Sequence, residues 1–175
     1  MSDDLATRAI SIFGTRLQSL VDWMGKAEAK LSATSGGITA LMAARMAPDM
    51  HPLPNQIVFA CNQPHEFLAW CRGETYSAPD PTTLDWRALK GHIAETIAAL
   101  DAAAGDGIAT QPGKHIDLMG QAHLDLSGPR YLDEWLLPNF YFHLVMAYAL
   151  LRSQGVDVGK VDYMAHLAGE VRPNA

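Results

Sequence analysis

From Trp135 to Leu151 the chain carries no Asp, Glu, Lys or Arg for 17 consecutive residues. A stretch that long without charge either crosses a bilayer, which takes about 20 apolar residues, or is enclosed by other protein. Pro138, Asn139, Tyr141, His143 and Tyr148 put polar atoms and a helix-interrupting ring inside it. Asp133 and Glu134 flank it, and no other uncharged stretch is as long. These residues favour a buried central helix and no membrane span. The rest of the chain must then wrap around it.

Three other segments have the required periodicity. Between Asp4 and Ser32, the residues Ile10, Phe13, Leu17, Leu20, Val21 and Met24 recur at steps of three and four, the spacing of one buried helix face. Ser35-Gly36-Gly37 closes that helix. A short helix follows over Ile38 to Met46. Pro48, Pro52 and Pro54 then break the chain. A second long helix starts near Pro54, kinks at Pro64 and stops at Gly73. Thr82 or Thr83 caps a third, with Asp85 in its first turn and a stripe of Trp86, Leu89, Ile93, Ile97 and Leu100. The uncharged helix begins near Arg130 and ends at Ser153-Gln154-Gly155.

Gly113 to Gly128 alternates with a period of two. Ile116, Leu118, Ala122, Leu124 and Leu126 interleave with His115, Asp117, His123 and Asp125. This is a β-hairpin, and a three-residue turn at Met119-Gly120-Gln121 sets His115 against Asp125 and Asp117 against His123. A slip of one residue would mix the two faces. The fold class is therefore all-α, a four-helix bundle with a β-hairpin inserted before the last helix, in one domain over residues 1–175. The tail from about residue 165 is expected to fray.

The formal net charge of −6 argues against nucleic-acid binding by phosphate neutralisation. Cys61 and Cys71, about 15 Å apart on one helix, cannot pair and read as buried thiols. The acidic start Met1-Ser2-Asp3-Asp4 is unlike a signal peptide, so a cytoplasmic location is expected.

Chemistry is sought first on the uncharged helix, where a polar residue must be satisfied or functional. Asn139 and His143 are four apart on one face, and Ala147 continues that face with little side chain. His143 is the candidate acid/base group, oriented by Asn139 or Asp49. Asp49 and His51 lie in the proline-rich break, and Gln56 on the second helix can reach the same interior. The hairpin face of His115, Asp117, His123 and Asp125 has metal-ligand residue types, although opposite charges across strands also suit a solvated surface.

Ala44-Arg45-Met46-Ala47-Pro48-Asp49-Met50 and Leu137-Pro138-Asn139-Phe140-Tyr141-Phe142-His143 resemble the two signatures of a bacterial domain-of-unknown-function family in the DinB-like four-helix-bundle superfamily. The ending through Leu151-Arg152, Gly155-Val156 and Gly159 to Tyr163 fits it too, so the resemblance spans about residues 5 to 164. It implies a divalent metal on three histidines, one from the second helix and a His-x-x-x-His pair on the last. Here the register places Asn139 and His143 on that pair, and Gln56 or Asn55 stands near the remaining position. One imidazole with neutral amides lacks the strong nitrogen donors of such a site.

Three readings follow. One is a cofactor-free small-molecule binder or enzyme with a polar pocket of His143, Asp49, Asn139, Gln56, His51 and Ala147. Another is a divalent-metal-dependent enzyme of the DinB type. The last is a non-catalytic module that forms a homodimer through helix one or the hairpin; the resemblance implies that dimers are common.

Overall fold

A computed structural model of the chain describes residues 2–172. Helix α1 (Ser2–Leu31) leads to the short α2 (Gly37–Ala43) and then to α3 (Leu53–Arg72). Helix α4 (Trp86–Asp106) precedes the hairpin of β1 (Gly113–Leu118) and β2 (Ala122–Ser127). The last helical run comprises α5 (Gly128–Arg130), a π-helical segment over Tyr131–Leu136, and α6 (Leu137–Ser153). Helix α7 (Lys160–Tyr163) and a 3-10 segment (Ala165–Glu170) follow. In the bundle α3 packs between α6 and α4, and α1 packs on α4 and α6.

The stripes expected from spacing are the core. Phe13, Leu17, Leu20 and Met24 of α1 are fully buried, as are Leu89 and Ile93 of α4. Phe13 meets Phe140 edge-on at 5.0 Å between ring centres, which joins α1 to α6. Cys61 and Cys71 are free, buried thiols. Burial raises Cys61 to about 12, so it is an inert apolar group at neutral pH.

The hairpin has the expected register, with His115 opposite Asp125 and Asp117 opposite His123. Met119 and Gly120, at φ 57° and 70°, supply the left-handed turn. Its base is fastened to the bundle by Trp70, whose indole N–H donates to the Gly113 carbonyl at 2.9 Å. Gly128 lies against that indole. A Cβ there would come within 2.6 Å of the Gln111 carbonyl oxygen, so the close approach requires glycine.

Several expectations are corrected. Helix α2 ends at Ala43 because the backbone turns extended at Ala44. Thr82 and Thr83 do not cap α4; they sit in a 3-10 turn capped by Asp80. Asp85 is the cap, accepting from the Ala88 amide at 2.8 Å, since a carboxylate best satisfies the free donors of a helix start. Helix α3 starts at Leu53, runs unbroken through Pro64 and ends, as expected, at the left-handed Gly73. The last helical run starts at Gly128, and its π segment is absent from the sequence reading. Helix α6 is not enclosed on all sides. Phe142 and Val145 are 53% and 38% exposed, because the outward face of a bundle helix can lack charge without being covered. Among the described residues, no helix is long and apolar enough to cross a membrane.

The chain beyond α6 folds back on α1. Lys26 binds Asp162 at 2.5 Å and Lys30 donates to the Gly155 carbonyl. Tyr163 stacks on Trp23 at 5.9 Å. Ala165–Glu170 continues from this anchor as a 3-10 helix. Residues 173–175 of the expected frayed end lie outside the described residues.

Candidate functional site

His143 and Gln56 come together between α6 and α3. The Gln56 side chain, 2% exposed, donates through Nε2 to the His51 carbonyl at 3.1 Å. Its Oε1 lies 2.9 Å from Nδ1 of His143. An amide oxygen only accepts, so His143 carries its proton on Nδ1 and its lone pair on Nε2. Phe59 stands between the two imidazoles, with ring centres 5.1 Å from His143 and 5.3 Å from His51. Burial, with His51 nearby, lowers His143 to about 4, so it is neutral at physiological pH.

The other proposed pocket residues are dispersed. Gln56, and not Asp49 or Asn139, orients His143. Asp49 is exposed in the loop between α2 and α3. Ala147 is fully buried in the core. Asn139 donates from Nδ2 to the Trp135 carbonyl at 2.7 Å and faces a different space.

That space is a cleft of about 380 Å³ between α3, β1 and the start of the last helical run. Gln63 and Glu66 line it from α3, Lys114 and Asp117 from β1, and Tyr131, Trp135 and Asn139 from the π segment and α6. Glu74 and Tyr76 close one side. Pro138 has no N–H and would crowd the Glu134 carbonyl in a regular helix. The π segment accommodates this, with the Leu137 amide bonding back to the Leu132 carbonyl. The same widening carries Tyr131 and Trp135 along the cleft wall.

The cleft is rich in acceptors. Oε1 of Gln63 is buried with no hydrogen-bond partner, while its Nε2 donates to the Phe59 carbonyl. The Tyr131 hydroxyl is buried beside the Glu66 carboxyl and donates toward it. Burial pushes the Glu66 carboxyl up from its ordinary range, with Lys114 opposing. Lys114 lies 5.8 Å above the Tyr131 ring. These residues were missed in the sequence, yet one signal existed. Glu66 is the only acid on α3, a helix buried along most of its length.

Behind the cleft, His65 stacks on Tyr76 at 4.6 Å and bonds to the Thr96 hydroxyl at 3.0 Å. His92 stacks on its other side at 5.8 Å. Burial lowers both imidazoles. With His143, three histidines are therefore held neutral in the fold, and an unfolded histidine takes its proton near 6.5. Between about pH 6.5 and 4 the unfolded chain binds more protons, so stability falls as pH falls through that window. Glu66 acts in the opposite sense, one carboxyl against three imidazoles. Urea midpoints should drop from pH 7.5 to pH 4.5, and a flat profile would refute the assignment.

The resemblance implied a divalent metal on three histidines, at positions that Asn139, His143 and Gln56 or Asn55 occupy here. The donor set does not fit it. His143 is the sole imidazole, and the Gln56 and Asn139 amides are engaged in hydrogen bonds to His143, His51 and Trp135.

Comparison with curated proteins finds no match. Among solved structures, the chain is similar to a DinB family member protein from Shewanella denitrificans, with a TM-score of 0.72 and 28% identity. The match covers 89% of this chain and 88% of that one. The family model of a domain of unknown function, DUF1993, matches residues 5–164. With the bundle, the inserted hairpin and both sequence signatures inside that span, the chain belongs to the DUF1993 family and has the DinB-like fold.

Proposed function

We propose that this protein binds a small protonated amine in the cleft between the hairpin and the bundle. The observation that carries this reading is the imbalance of its polar groups. Three carboxylates, Glu66, Glu74 and Asp117, and the unpartnered Gln63 oxygen face one ammonium, Lys114. An incoming ammonium supplies the missing donors and restores the charge that burial disfavours on Glu66. Tyr76, Tyr131 and Trp135 offer ring faces to the same cation. Asn139 enters this site through the oxygen that its bond to Trp135 leaves free.

Thermal melting with putrescine and benzylamine, against acetate and benzoate, tests this. An amine at a hundred times its dissociation constant stabilises by about 2.7 kcal/mol, a rise of roughly 5–10 °C for a chain of this size. Glu66→Gln should abolish the rise, and Lys114→Ala should enlarge it by removing the competing cation. Selective stabilisation by the carboxylates, or by neither class, would overturn the reading.

A further inference from the structure

We infer that the exposed face of the β-hairpin holds a divalent transition-metal ion on His115, His123 and Asp125. The ligand atoms of these three residues lie within 4.8 Å of one another. Among the described residues, no other group of three or more such side chains has this arrangement. Asp125 joins the two imidazoles: Oδ1 is 2.8 Å from Nδ1 of His115, and Oδ2 is 3.4 Å from Nε2 of His123. The rings themselves are 4.9 Å apart. Metal–ligand bonds of 2.0–2.1 Å in a tetrahedron put neighbouring ligand atoms roughly 3.3 Å apart. Small side-chain rotations therefore bring all three donors onto one ion.

The backbone holds this face ready. His115 and Asp125 are directly opposite in the ladder, and His123 is two residues from Asp125 on the same side. Asp117, also on this face, accepts from the Gly120 amide at 2.8 Å and fixes the turn.

Charge points the same way. A hairpin surface exposed to water needs only polar side chains, and lysine or threonine would serve. Here His115, Asp117, His123 and Asp125 occupy two adjacent cross-strand pairs, with no Lys or Arg among them. Two carboxylates, Asp117 and Asp125, share this face with the two imidazoles, and a divalent cation would offset their charge. Two imidazoles with one carboxylate suit zinc, nickel or copper better than magnesium or calcium. Three protein ligands also leave a coordination position for water. This site is separate from the Gln56–His143 pair in the bundle, and it borders the amine cleft: His115 and Asp117 line that cleft, while His123 and Asp125 do not.

Isothermal titration of the untagged full chain with zinc chloride, followed by nickel chloride, tests the inference. One equivalent should bind. His123→Ala and Asp125→Asn should each weaken binding by at least tenfold, since even residues that only orient ligands are worth roughly 10–100-fold. Both positions are exposed, so far-ultraviolet circular dichroism should not change. Zinc binding that persists in both folded variants, or no binding to the parent chain at excess metal, overturns the inference.

Discussion

Trp70→Ala is expected to lower the unfolding free energy by about 3–5 kcal/mol and to loosen the hairpin from the bundle. The indole is 3% exposed and packs against Phe67 at 5.9 Å and Tyr131 at 5.1 Å. Its N–H bonds to Gly113 at the root of β1, and Gly128 at the other root rests on its six-membered ring. One side chain thus joins α3 to both ends of the hairpin. Removing it leaves a cavity and an unpaired carbonyl at the point where β1 leaves the bundle. Urea denaturation measures the first effect, and amide hydrogen exchange across β1 and β2 measures the second. Trp70→Phe keeps most of the packing and loses the bond, so its cost should exceed the exchange of one ring for another by about 1 kcal/mol. Hairpin amides that stay fully protected in Trp70→Ala would show that the anchor lies elsewhere.

The next largest effect belongs to Gln56→Leu. It deletes two hydrogen bonds in one step and leaves the Nδ1 proton of His143 and the His51 carbonyl unpaired. Each unsatisfied group costs about 1–3 kcal/mol, and less at the exposed His51, so a total of about 2–4 kcal/mol is expected. Replacing both members of a buried polar pair by apolar groups is much cheaper than removing one. The double variant Gln56→Leu/His143→Leu should therefore be more stable than the sum of the singles by about 1–2 kcal/mol. Chemical denaturation of the four proteins measures this coupling. Strict additivity would mean that the pair contributes nothing beyond its separate packing.

The parts of the fold that were legible are those set by short-range period. Phe13, Leu17, Leu20 and Met24 needed only the helical repeat to be placed inside. The hairpin register followed from alternation, because a slip of one residue would have set His123 against Leu118 and mixed the two faces. The start of α4 was misplaced by a few residues because Asp80, Thr82, Thr83 and Asp85 are all good caps, and tertiary placement chose among them. The π segment was invisible for a related reason. Pro138 announces a disturbance, but whether the chain bends, breaks or widens depends on what surrounds it.

The site divided along the same line. Gln56 beside His143 was within reach of the sequence, since both fall at positions that the resemblance singled out. The cleft was not, because Glu66, Lys114 and Tyr131 come from three elements far apart in the chain. Exposure of Phe142 and Val145 also corrected the first inference from the uncharged run. Absence of charge marked the helix without specifying which of its faces is covered.

The π segment also sets an angle. Each residue of an α-helix advances the chain by about 100° around the axis. Widening Tyr131–Leu136 absorbs part of that rotation between the hairpin and α6. An insertion or deletion of one residue there would turn α5 and the hairpin about the bundle while leaving the α1 and α3 contacts of α6 in place. Hairpin orientation, and with it the mouth of the cleft and the direction of the His115–Asp125 face, can therefore diverge between relatives whose bundles superpose.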